Sequence, residues 1–160
     1  MESFGSRVGH EIPRLRRYAL ALTRDAVAAD DLVQESVARA LSKQKSWQEG
    51  TDLRAWLFTI LHNQYVSQVR RAMREARALG ELRQIVNDAP APAKSLELRD
   101  TERALGRLPA LMRSAVLLVG LYDLPYEDVA RIQGVPVGTV RSRLSRGREM
   151  LRQLSGWAGA

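Results

Sequence analysis

The 160-residue chain has no cysteine, two histidines, two phenylalanines and six prolines. Without cysteine it cannot rest on a disulfide framework, a zinc ribbon or an iron–sulfur cluster, and it has no thiol nucleophile. His10 and His62 are too few for a histidine-rich metal site, and Ser-His-Asp chemistry would have to use one of them. No apolar run approaches the roughly 20 residues that span a bilayer, and the first ten residues carry no signal-peptide core. The expectation is a soluble, reduced, cytoplasmic protein with no membrane insertion, no metal and no cofactor. A hydrophobic fraction of 45% is that of a globular chain and excludes wholesale disorder.

What the sequence does have is basic charge and helical periodicity. Twenty-five Lys and Arg stand against eighteen Asp and Glu, a net charge of +7. Residues 131–160 hold six arginines (Arg131, Arg141, Arg143, Arg146, Arg148, Arg152) against Glu149 alone. Residues 66–83 hold five arginines against two glutamates, whereas residues 94–130 are nearly balanced. Two separated basic patches suggest a polyanionic partner met in two places.

Almost every segment reads as helix. Val8, Ile12, Leu15, Ala19 and Leu22 recur at three- and four-residue steps and end near Thr23. Pro13 fits that helix only within its first turn. Asp25 is placed to cap a second helix with an apolar face of Leu32, Val33, Val37, Ala40 and Leu41. A polar loop with one aromatic, Trp47, follows over residues 43–50. Thr51 or Asp52 then caps a long helix built on Leu53, Trp56, Leu57, Ile60, Leu61 and Val69. The stretch Asn87 to Ser95, with two prolines and no apolar period, reads as a linker. Beyond it, Leu96, Leu105 and Leu108 mark one helix, and Leu111, Val116, Leu117 and Val119 another. No strand alternation, heptad or repeat appears. The expected fold is all-α: two small helical bundles over residues 8–80 and 96–154, joined by a linker at 81–95.

Residues 125–148 have the spacing of a helix-turn-helix. Val129, Ala130 and Ile132 face inward, Ala130 is small where two helices approach, and Gly134 suits a left-handed turn. Val140 and Leu144 anchor the second helix, which leaves Thr139, Arg141, Ser142, Arg143, Arg146 and Arg148 outside. A recognition helix carries such side chains near its start, where arginine reads guanine bidentately and further arginines hold phosphates. In the first half, acidic residues at 30, 31 and 35 precede the polar loop and an aromatic-bearing helix that ends in Arg70 and Arg71. A basic helix beside a loop with an aromatic could hold single-stranded DNA by phosphate contacts and base stacking. His62 is read as belonging to this helix's core and not as a catalytic base. Trp157, in the Gly/Ala-rich tail, is read as packing on the last helix.

Asp-Asp-Leu-Val-Gln-Glu at 30–35, Leu-Arg-Ala-Trp-Leu-Phe-Thr-Ile at 53–60 and Gly-Thr-Val-Arg-Ser-Arg-Leu-Ser-Arg-Gly-Arg at 138–148 follow one another around the Pro/Ala linker. In these motifs the chain resembles bacterial extracytoplasmic-function (ECF) sigma factors, over about residues 8–153. Leu117 to Leu121 and His62 to Val66 further resemble the general-stress subgroup. The resemblance implies a promoter-specificity subunit of RNA polymerase and no enzymatic activity of its own. It implies that Asp30, Asp31, Gln34 and Glu35 dock on the polymerase clamp helices, with the flap as a further polymerase contact. By the same resemblance, the loop from Lys43 to Asp52, with Lys45 and Trp47, captures a flipped minus-ten base. Asn63, Gln68, Arg70 and Arg71 would contact the surrounding DNA, and Thr139, Arg141, Ser142, Arg143 and Arg146 would read minus-thirty-five. An anti-sigma factor is an implied partner beside core polymerase and promoter DNA. The chain departs from many members at Ser67, where they carry Asp.

Geometry is compatible with such a division. Two promoter elements one and a half helical turns apart are about 50 Å apart, and a domain of this size has a radius of gyration near 12 Å. A linker of roughly 15 residues extends to about 50 Å. Two other readings are a sigma-like decoy that sequesters a regulator and a stand-alone helix-turn-helix repressor. A decoy belonging to a phosphorelay would be expected to carry a receiver domain, and the repressor leaves the first half unexplained.

Overall fold

The computed structural model describes residues 1–80 and 96–155, so the expected linker and Trp157 lie outside the described residues. Among the described residues there are seven α-helices, one 3-10 turn and no strand. The chain divides into two compact units, Met1–Asp88 and Ala89–Ala160.

The first unit packs α1 (Phe4–Thr23), α2 (Ala26–Ser42) and α3 (Leu53–Ala78), with a 3-10 turn at Gln44–Ser46. Val8, Leu15 and Leu22 repeat every seven residues on the buried face of α1. Tyr18 completes that stripe, whereas Ile12, expected there, sits at its edge and is 36% exposed. α1 begins earlier than the periodicity indicates, because Ser3 caps it by accepting from the Ser6 N–H. Pro13 therefore lies in the helix interior, against the expectation of a first-turn proline. Both Pro13 and Gly9, whose carbonyl loses its helical donor, are exposed, so water can satisfy that oxygen.

Asp25 caps α2 by accepting from the Val27 (2.9 Å) and Ala28 (3.3 Å) N–H groups. Asp52 caps α3 through the Ala55 N–H. Leu41 is 45% exposed and does not belong to the core. From α3, Leu57, Phe58, Leu61, His62 and Tyr65 are buried, with Phe58 edge-on to Tyr18 at 5.2 Å. His62 shares a buried hydrogen bond with the Tyr18 hydroxyl at 3.3 Å, which makes it a core residue. Each buried Leu or Phe contributes roughly 1.5–3 kcal/mol, so the three-helix core holds together through this stripe.

The second unit contains α4 (Leu96–Arg107), α5 (Ala110–Gly120), α6 (Tyr126–Gln133) and α7 (Val137–Ser155). Leu108, Leu118, Val129, Ile132, Val140 and Leu144 are almost wholly buried. Gly134 ends α6 in the left-handed region (φ 66°), and its N–H and that of Val135 return to α6 carbonyls. α7 crosses α5 at Gly147, where a Cβ would come within 2.8 Å of Val116 Cγ2. Arg113 is buried, and its guanidinium donates to the carbonyls of Leu105 (2.9 Å), Leu108 (2.9 Å) and Gly106 (3.4 Å). A cation there satisfies carbonyls at the end of α4 that the helix itself leaves open.

Candidate functional site

The acidic residues of α2 do not form one uniform face. Asp31 and Gln34 are exposed. Asp30 is paired with Arg16 of α1 at 3.0 Å. Glu35 turns toward α3, where one of its oxygens accepts from the side-chain amides of Gln64 (2.7 Å) and Gln68 (3.1 Å). These contacts form one wall of an open groove of about 700 Å³ between α2 and α3. Lys43, Gln68 and Arg71 line this groove with Glu35, Arg39 and Ser67, which brings together four of the candidate site residues singled out in the sequence. Asn63 and Arg70 are exposed, seven residues apart, and share an adjacent face of α3. Lys45 is exposed on the 3-10 turn.

Trp47 corrects an expectation. It is only 8% exposed, 5.6 Å from the Phe4 ring, with the Arg7 guanidinium carbon 4.7 Å from its centroid. Arg7 also holds Glu49 at 2.9 Å. The indole therefore props the loop against α1 and is not presented as a platform for a base. Phe4 and Arg7 lie ahead of the segment in which apolar periodicity becomes visible, so nothing local to the loop reveals their contact. The Trp47 Nε1 is buried without a hydrogen-bond partner.

On α7, Val140 and Leu144 point inward as expected, and Arg141, Ser142 and Arg146 are exposed. At about 100° per residue, Thr139, Ser142, Arg143 and Arg146 fall within one arc, while Arg141 lies on the opposite flank. Ser142 donates its hydroxyl to the Gly138 carbonyl at 3.1 Å. Arg143 is half-buried, and burial lowers its pKa from the usual arginine value. Its Nη1 donates to Gln133 Oε1 at 2.7 Å. Gln133 in turn donates from Nε2 to the Leu111 carbonyl (3.2 Å) and Ser114 Oγ (3.1 Å) of α5. Gln64 and Gln133 were not singled out in the sequence, because each acts across helices through a polar contact that leaves no periodic trace.

Among the described residues no group of three His, Asp or Glu side chains could hold a metal ion. No described helix is long and apolar enough to cross a membrane.

Comparison with known proteins gives this arrangement a context. Residues 8–62 match the family model described as the Sigma2 domain of PhyR, and residues 98–151 match that of Sigma-70, region 4. The ECF RNA polymerase sigma factor EcfG of Rhodopseudomonas palustris is 42% identical over 144 residues, covering 89% of this chain and 80% of the relative. The ECF RNA polymerase sigma factor SigM of Mycobacterium tuberculosis H37Rv is 32% identical, covering 90% and 72%. Among solved structures, the sigma factor RpoE of Bartonella quintana, in complex with the anti-sigma factor NepR, superposes with a TM-score of 0.84. It is 39% identical, and the match covers 98% of both chains. The PhyRSL–NepR complex from Sphingomonas sp. Fr1 shares the fold at a TM-score of 0.71 and 22% identity, over 99% of this chain and 93% of that one. Two helical units with separate basic surfaces are matched in order by models of sigma regions 2 and 4, and relatives of 42% and 32% identity are covered over most of their length: the chain is a member of the family of ECF RNA polymerase sigma factors.

Proposed function

We propose that this sigma factor divides promoter recognition between its units, residues 8–80 acting at minus-ten and residues 96–154 at minus-thirty-five, with 81–95 as the tether. The observation that carries this reading is the pairing of two unlike polar surfaces, the α2–α3 groove and the arginine-bearing face of α7. Asp31 and Gln34, with Asp30 beside them, dock on the polymerase clamp helices, and the flap meets the second unit. Glu35, although exposed, acts by orienting Gln64 and Gln68. Lys43, Lys45, Gln68 and Arg71, with Asn63 and Arg70 on the adjacent face, engage minus-ten DNA, and Trp47 shapes the loop that captures a flipped base. Thr139, Arg141, Ser142, Arg143 and Arg146 engage minus-thirty-five. Bidentate arginine–guanine contacts give roughly 1–3 kcal/mol of discrimination each, so tethering both units to polymerase supplies the remaining affinity by effective concentration. Strand opening needs no catalytic residue, since captured bases offset a few kcal/mol of unstacking.

The likeness to a sigma factor solved with its anti-sigma factor supports an anti-sigma partner; control of a stress response and action in the cytoplasm are proposed with it from the family resemblance. A decoy role has less support: residues 8–62 match the PhyR Sigma2 model, but over nearly the whole chain identity is 39% to a solved sigma factor and 42% to EcfG, against 22% to the PhyR chain.

The test is reconstituted transcription with bacterial core polymerase on a promoter library. The chain is expected to redirect initiation to a defined pair of elements. Arg143→Ala is expected to flatten the minus-thirty-five preference while core binding persists. A chain that neither joins the core nor changes its start sites overturns the reading.

A further inference from the structure

The guanidinium of Arg143 is held by a relay that crosses three helices. Gln133, the last residue of α6, accepts from Arg143 of α7 at 2.7 Å and donates to Leu111 O and Ser114 Oγ of α5 at 3.2 and 3.1 Å. The residue type is demanded by this geometry. Leu111 O can only accept and an arginine N–H can only donate, so the bridging side chain must offer both functions at once. A glutamate lacks the donor, a lysine lacks the acceptor, and a leucine has neither.

We propose that Gln133 is a positioning residue for minus-thirty-five reading, fixing the Arg143 guanidinium so that its remaining edge meets the base. The inference rests on the reading of α7 as the recognition helix. Of the five guanidinium N–H groups the brace takes one, on Nη1, and leaves the Nε–Nη2 edge for a bidentate contact. An arginine free at the same place would sample many rotamers, most of them useless for that contact. The amide carries no net charge, so it orients the cation without cancelling it.

The experiment uses the full chain with core polymerase on a library that varies each minus-thirty-five base pair. Gln133→Leu is expected to lower discrimination about fivefold at the base pair that Arg143→Ala affects, and nowhere else. Because Gln133 acts through Arg143, adding Gln133→Leu to Arg143→Ala is expected to change nothing further at that base pair. Core binding and thermal unfolding serve as controls for folding. Should Gln133→Leu fail to fold, Ser114→Ala removes one support of the amide and is expected to give a smaller loss at the same base pair alone. An unchanged profile in the folded variant, or a loss that persists in the Arg143→Ala background, overturns the inference. If Arg143→Ala itself leaves the profile unchanged, the recognition-helix reading fails instead.

Discussion

The two units anchor their arginines differently where helices meet. In the first, Arg7, Arg16 and Arg54 are each paired with a carboxylate from another element: Glu49, Asp30 and Glu11. In the second, the carboxylate pairs lie within one helix, Arg131 with Asp128 and Arg152 with Glu149, whereas between elements Arg143 is held by a neutral amide and Arg113 donates to three backbone carbonyls. A carboxylate partner fixes a side chain and neutralises it, whereas an amide fixes it and leaves the charge intact for a phosphate or guanine. The first unit uses these pairs, two at the surface and Arg54–Glu11 part-buried, to join α1 to its neighbours, and the surface ones contribute little individually. In the second, the amide leaves Arg143 its full charge on the helix proposed to meet DNA, whereas Arg152 near the end of that helix is paired with Glu149.

The largest expected effect tests whether the units are energetically separate. Leu144→Ala is expected to cost the second unit about 2–5 kcal/mol, the usual penalty for emptying a buried leucine site. Hydrogen exchange at Phe58 and Leu61 should stay at wild-type protection, and loss of protection there would mean the units unfold together. A smaller cost is expected from Gly147→Ala, where the added methyl would stand 2.8 Å from Val116 Cγ2. Overpacking of about 1–3 kcal/mol is offset by about 1 kcal/mol of better helix propensity. Chemical denaturation should therefore register a modest net loss, and a gain would show that α5 yields easily at this crossing. The third contrast divides the acidic residues of α2. Asp31→Lys is expected to weaken core association about tenfold, close to 1.4 kcal/mol. Glu35→Ala, which frees Gln64 and Gln68, is expected to leave that affinity within about twofold while lowering minus-ten use. Equal losses of core affinity from both changes would return Glu35 to the docking face.

Local chemistry made much of the architecture legible. Asp25 and Asp52 are short acceptors just before apolar periods, and Gly134 is a glycine at the end of one. Val140 and Leu144 stand one helical turn apart. The residues that escaped reading depend on partners distant in sequence. Trp47 looks like an exposed loop aromatic until Phe4 and Arg7 are placed beside it. Gln133 looks like the polar end of a short helix until α5 and α7 converge on it. Pro13 misled because the apolar period is read from Val8 onward, although Phe4 stands one turn ahead of it and Ser3 caps the helix there.

The packing of Trp47 has an optical consequence. An indole shielded from water, with no acceptor for its N–H and a guanidinium against its ring, emits in surroundings set by Phe4 and Arg7. Any movement that lifts the start of the first helix from the loop alters those surroundings, so with Trp56 and Trp157 replaced the emission of Trp47 would gauge loop rearrangement.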